Sequence, residues 1–103
     1  MFLIFDTETT GLPQRYDAPA SQTDNWPRLV QLAWQIHDRE GKLIKVQNHI
    51  IQPEGFEIPY ASSKVHGITT EKAQQDGISL DKVLQEFAGD ISYSQYLIGH
   101  NID

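Results

Sequence analysis

The chain has no cysteine among its 103 residues. Disulfides and thiolate metal sites are therefore excluded, and a reducing, cytoplasmic setting is the expectation. No apolar run approaches the roughly 20 residues of a membrane-spanning helix. No basic segment opens the N-terminus, so no secretory signal is expected. Repeats, low-complexity tracts and linkers are also missing, and the length predicts a single domain over 1–103. Positive charge is scarce: 8 Lys and Arg stand against 14 Asp and Glu, a net charge of −6. That balance argues against broad electrostatic binding to a duplex. It leaves open a contact made through bound cations, which acidic side chains can hold against a phosphate.

What the chain does have begins at once. Phe2 to Leu12 read FLIFDTETTGL. The apolar start has the look of a strand buried on both faces, ending near Asp6. Asp6 and Glu8 follow at i and i+2. Strand side chains alternate, so both carboxylates leave one face, about 6–7 Å apart along the backbone, and Thr7 leaves the other. Two converging carboxylates on a rigid element suit a hard divalent cation such as Mg²⁺ or Mn²⁺. Thr9, Thr10 and Gly11 then turn the chain, and Gly11 allows a ligand close to the backbone.

The rest of the pattern is that of a small α/β domain. Residues 13–27, with three prolines, predict a long surface loop anchored by Trp26 against the body. Val30, Leu32, Trp34 and Ile36 alternate with polar or small residues, which predicts a strand with one buried face. A turn at 38–42 leads to a second alternating strand around 44–50, giving an antiparallel hairpin. His37 and His49 lie on these strands without partners at metal-ligand spacing. Tyr60 to His66 predicts a short helix with Gly67 at C′. Thr69 or Thr70 caps a second helix through Gln75, and Ser79 caps a third. Leu80, Val83, Leu84, Phe87 and Ile91 form one apolar stripe, read as core. Tyr96 to Ile98 predict a short buried strand leading into a further helix.

FDTETTGL resembles the first motif of the DEDD 3′–5′ exonucleases, the DnaQ-like type. Lys64 to Thr69, KVHGIT, and Ile98 to Asp103, IGHNID, resemble two later segments of that family, the second being the opening of H-N-x-x-F-D. The resemblance implies a ribonuclease-H-like mixed sheet with flanking helices, C-terminally incomplete. In its register Asp103 falls two places short of the motif's ligand aspartate. The third motif, with a general-base histidine and a fourth acidic ligand, has no counterpart.

By resemblance, Asp6 bridges two metal ions and Glu8 binds the metal on the water side. The same resemblance places Thr7, Thr9 and Gly11 at the terminal nucleotide, Leu12 as a wedge on the end bases, and His66 in the substrate cleft. A histidine favoured by a helix C-terminus is an equally weighted reading of His66. His100 and Asn101 belong to the second motif, and Asn101 reads equally as a helix N-cap.

The partners implied are the single-stranded 3′ end of a nucleic acid and, for proofreading members, a DNA polymerase. The chain itself is expected to be an inactive portion of a metal-dependent 3′–5′ exonuclease that self-associates through uncovered apolar surface. The alternative is a non-catalytic ribonuclease-H-like module that binds nucleic acid or a protein.

Overall fold

A computed structural model describes residues 1–11, 15, 17–19, 21 and 26–99. Four strands and three helices follow one another as β1 (Phe2–Thr9), β2 (Leu29–His37), β3 (Leu43–Ile50), α1 (Tyr60–His66), α2 (Thr70–Asp76), α3 (Leu80–Ser92) and β4 (Tyr96–Gly99). The strands form one mixed sheet in the order β3-β2-β1-β4. β2 runs antiparallel to both β1 and β3, and β4 lies parallel to β1. This is a ribonuclease-H-like arrangement: an antiparallel meander, then a helical crossover returning the chain beside β1.

The period-2 pattern decides which sheet face is covered. Leu3, Leu32, Trp34 and Ile36 are buried with Ile51 and Val83, and Phe5, Leu80, Phe87 and Ile91 pack against them. Register places Leu3 opposite Ile36 and Phe5 opposite Trp34, so these side chains leave one face, and α3 lies on it. A second cluster of Val30, Ile58, Ile68 and Ala73 extends the core toward α2. Three polar contacts fix α3 to the sheet. The Trp34 indole donates to Asp90 Oδ2 at 2.7 Å, Lys45 Nζ reaches Asp90 Oδ1 at 3.0 Å, and His49 Nε2 lies 3.2 Å from Glu86.

Three expectations need correction. β1 is not buried on both faces: Leu3 is fully buried but Ile4 is 42% exposed, because no helix among the described residues covers the face that Ile4 shares with Ile44, Val46 and Ile98. β4 is not a buried strand, since Tyr96, Leu97 and Ile98 are each about half exposed at the sheet edge. Leu84 shares the apolar periodicity of α3 yet stays 42% exposed and outside the core cluster. The helix expected after Ile98 falls on residues outside those described. The Trp26 indole, expected to anchor the loop against the body, donates to Pro19 O at 3.0 Å.

Helix boundaries match their chemical punctuation. Gly67 ends α1 in the left-handed region at φ 76° and returns its N–H to Ser63 O. The Thr69 hydroxyl accepts from the Lys72 amide at the start of α2. Ser79 occupies the N-cap of α3, but its side chain makes no capping bond.

Candidate metal and nucleic-acid site

β1 continues past both carboxylates to Thr9, so Asp6 and Glu8 stand on ordered strand rather than in the turn beyond it. Register pairs Asp6 with Ala33 and Glu8 with Gln31, residues of the face opposite α3. Both acids therefore leave the uncovered face, and Thr7, paired with Leu32, leaves the other. Small Ala33 leaves room beside Asp6. Ile4, Asp6, Ala33, Gln35, Val46 and Ile98 line a shallow concavity of about 540 Å³.

Asp6 is exposed, and its Oδ1 accepts the neighbouring Thr7 amide at 2.9 Å. Among the described residues neither Asp6 nor Glu8 forms an ion pair, whereas Asp17 and Asp90 each do. Two unpaired carboxylates on one face repel each other and favour any bound cation. Among the described residues no group of three or more His, Asp or Glu side chains is arranged to hold a metal ion. The donor set thus fits a hard cation that keeps most of its water.

The turn after β1 is tightly tied. The register shifts between Glu8 and Thr9, and Thr9 Oγ1 donates to Gly11 O at 3.0 Å. Gly11 sits at φ 145°, a conformation that side-chain-bearing residues rarely adopt. Thr10 is held from both sides. Its N–H donates to Arg28 O at 3.0 Å, its hydroxyl accepts from the Arg28 amide at 2.9 Å, and its carbonyl accepts from the Ser62 hydroxyl of α1.

That last bond brings α1 to the acidic turn. His66 follows Ser62 by four residues and so shares its helix face. His66 Nδ1 accepts the Ile68 amide at 3.1 Å, which places the proton of a neutral ring on Nε2. Nε2 is buried and has no hydrogen-bond partner among the described residues. A buried donor left unmatched costs about 1–3 kcal/mol, so a histidine kept this way calls for an explanation.

Leu12, His100 and Asn101 lie outside the described residues. The structure brings Asp6, Glu8, Thr7, Thr9 and Gly11 together along one strand and turn, and ties α1 with His66 to them. His37 and His49 are satisfied: His37 by Gln35 and Gly41, His49 by Gln47 and Glu86. Sequence reasoning missed Arg28. Its only signal was position, next to Pro27 and just before the alternating strand.

A family model described as Exonuclease, that of RNase T, matches residues 3–103. A search of curated proteins finds no significant match. Solved structures similar to the chain include the ExoI/SSB-Ct complex, at 21% identity and a TM-score of 0.76, covering 97% of this chain and 20% of that one. The product-bound structure of exonuclease I matches at 21% identity and TM-score 0.75, over 97% and 22% of the two chains. E. coli exonuclease I in complex with a dT13 oligonucleotide matches at 21% and 0.76, over 97% and 20%. The chain thus spans about a fifth of the length of these structures, and at this identity the likeness establishes the fold.

Proposed function

Because the chain belongs to the RNase T exonuclease family over residues 3–103, we propose that its nuclease-type function is metal-dependent 3′–5′ hydrolysis at the end of a single nucleic-acid strand. The observation that carries this reading is the Asp6–Glu8 pair on the open face of β1, beside a glycine turn and without an ion pair among the described residues. Asp6 and Glu8 would hold Mg²⁺ or Mn²⁺, which when bound activates water and offsets charge on the leaving oxygen. The chain's own groups position the strand. The backbone around Thr7 and the Thr9 hydroxyl meet the terminal nucleotide, while the Thr7 side chain leaves the other face, and Gly11 lets the backbone approach the nucleotide. Leu12 supplies apolar contact to the end bases without sequence preference. The His66 Nε2–H, a donor without an acceptor among the described residues, suits a phosphate or sugar oxygen of the strand. His100 and Asn101 are assigned to the same site by their motif.

Two carboxylates hold a second cation poorly, so the 103 residues by themselves are proposed to bind metal weakly and to hydrolyse nothing measurable. Mn²⁺ titration followed by backbone NMR should broaden signals centred on Asp6 to Thr9, and Asp6→Ala should abolish that centre without unfolding the chain. Broadening centred elsewhere rejects the site. Incubation with a labelled single strand should release no nucleotide. Metal-dependent trimming that Asp6→Ala removes would overturn the claim of inactivity.

A second reading, a non-catalytic module that binds nucleic acid or protein, is favoured by the lack of any three-ligand group among the described residues. Strand binding that is unchanged by Asp6→Ala and by metal removal would select it.

A further inference from the structure

We propose that Arg28, seated on the ring of Phe56, is a phosphate contact for a strand whose end lies at Asp6 and Glu8. The proposal rests on the nucleic-acid reading above and adds to it a cation that no motif assigned.

In a chain of net charge −6, a polyanion must find its cations singly. Arg15 is paired with Asp17 and Lys45 with Asp90. Arg28 makes no ion pair among the described residues, yet it is held in place. Its guanidinium carbon lies 5.4 Å from the centroid of the Phe56 ring, within cation–π range. Phe56 in turn packs on the buried Val30, Ile58, Ile68 and Ala73 cluster, so the platform is part of the core. The Arg28 backbone brackets Thr10 through two hydrogen bonds, at 2.9 and 3.0 Å.

Thr10 is the first residue beyond β1, two positions past Glu8. The Arg28 backbone is therefore fixed against the turn that follows the two carboxylates. A planar fork of donors whose orientation is already fixed loses little freedom when it takes a phosphate. A surface arginine serving only as a strut between β2 and the segment before α1 would show the same ring contact. Salt dependence tells the two roles apart.

The test is fluorescence anisotropy of the full chain with a labelled short oligothymidylate in Mn²⁺, across a salt series, with thermal melts of each variant. Neutralising one phosphate contact lowers the slope of log affinity against log salt by about 0.7 on a single strand. Arg28→Gln should show that loss of slope and bind about tenfold more weakly at low salt. Arg28→Lys should keep the wild-type slope while recovering only part of the affinity, because lysine lacks the fork. Phe56→Leu should also keep the slope and weaken binding by loosening the guanidinium. Wild-type binding with an Arg28→Gln slope and affinity equal to wild type would overturn the role of Arg28 alone. A wild-type chain that binds no strand at all would overturn the nucleic-acid reading, and the assignment of Arg28 with it.

Discussion

At the scale of single residues, position in the pleat separates chemistry from packing. Phe5 and Asp6 are neighbours in sequence, yet Phe5 joins the core while Asp6 stands on the open face. Removing the repulsion between Asp6 and Glu8 should cost no stability, so Asp6→Ala is expected to melt at or above the wild-type temperature in metal-free buffer. Gly77 shows a different constraint. Its φ of −77° is one any residue adopts. A Cβ there, however, would collide with the Ala73 carbonyl and lie 2.6 Å from the Gln52 amide nitrogen, both of them backbone. Gly77→Ala should therefore destabilise the chain by about 1–3 kcal/mol in urea unfolding, as overpacking does. A loss below a few tenths would show that the α2 terminus yields freely.

At the scale of elements, α3 is held by only part of its apolar stripe. Val83 is fully buried and Phe87 packs at a tilt against Trp34, with 5.0 Å between ring centroids, while Leu84 faces outward. Helical periodicity marks the stripe, but the width of sheet available beneath α3 decides which members reach it. Leu3→Ala, at the centre of β1, should cost about 2–5 kcal/mol. Leu84→Ala should cost well under half of the Leu3→Ala value, because Leu84 leaves no cavity behind. Equal losses in chemical denaturation would contradict this division of the core. The Asp90 carboxylate adds direction rather than bulk: by taking both the Trp34 indole and Lys45, it fixes how α3 lies across β2 and β3.

Across the whole molecule, all three helices follow β3 and precede β4, and the core lies on one face of the sheet. The other face carries Ile4, Ile44, Val46 and Ile98, each between 42% and 54% exposed, and the edge strand β4 adds Tyr96 and Leu97. Contiguous apolar surface of this kind promotes association, and an unpaired strand edge adds to it. The purified chain is therefore expected to form dimers or larger species. Light scattering should report a mass above 11.7 kDa. Val46→Lys should shift it toward the monomer. A wild-type chain that stays monomeric at high concentration would refute the expectation.

Local chemistry was enough to read most elements from the sequence. The hairpin followed from strict alternation, α1 from its length and terminal glycine, α2 from a threonine cap, and the acid pair from i, i+2 spacing on an apolar strand. The family resemblance rested on the same short segments and holds over residues 3–103. Properties set by distant parts of the chain were not legible. Ile4 and Ile98 read as buried because hydrophobicity states a preference for burial but not whether a partner exists to satisfy it. Arg28 is held by Thr10, 18 residues away, and by Phe56, 28 residues further on, so no local pattern could mark it. The unmatched Nε2 of His66 likewise depends on the amide of Ile68 and on its surroundings in the folded chain. Periodicity and capping act within a few residues and are written in order along the chain. Coverage of a face and the pairing of a lone charge depend on contacts between distant residues, which only the packed fold decides.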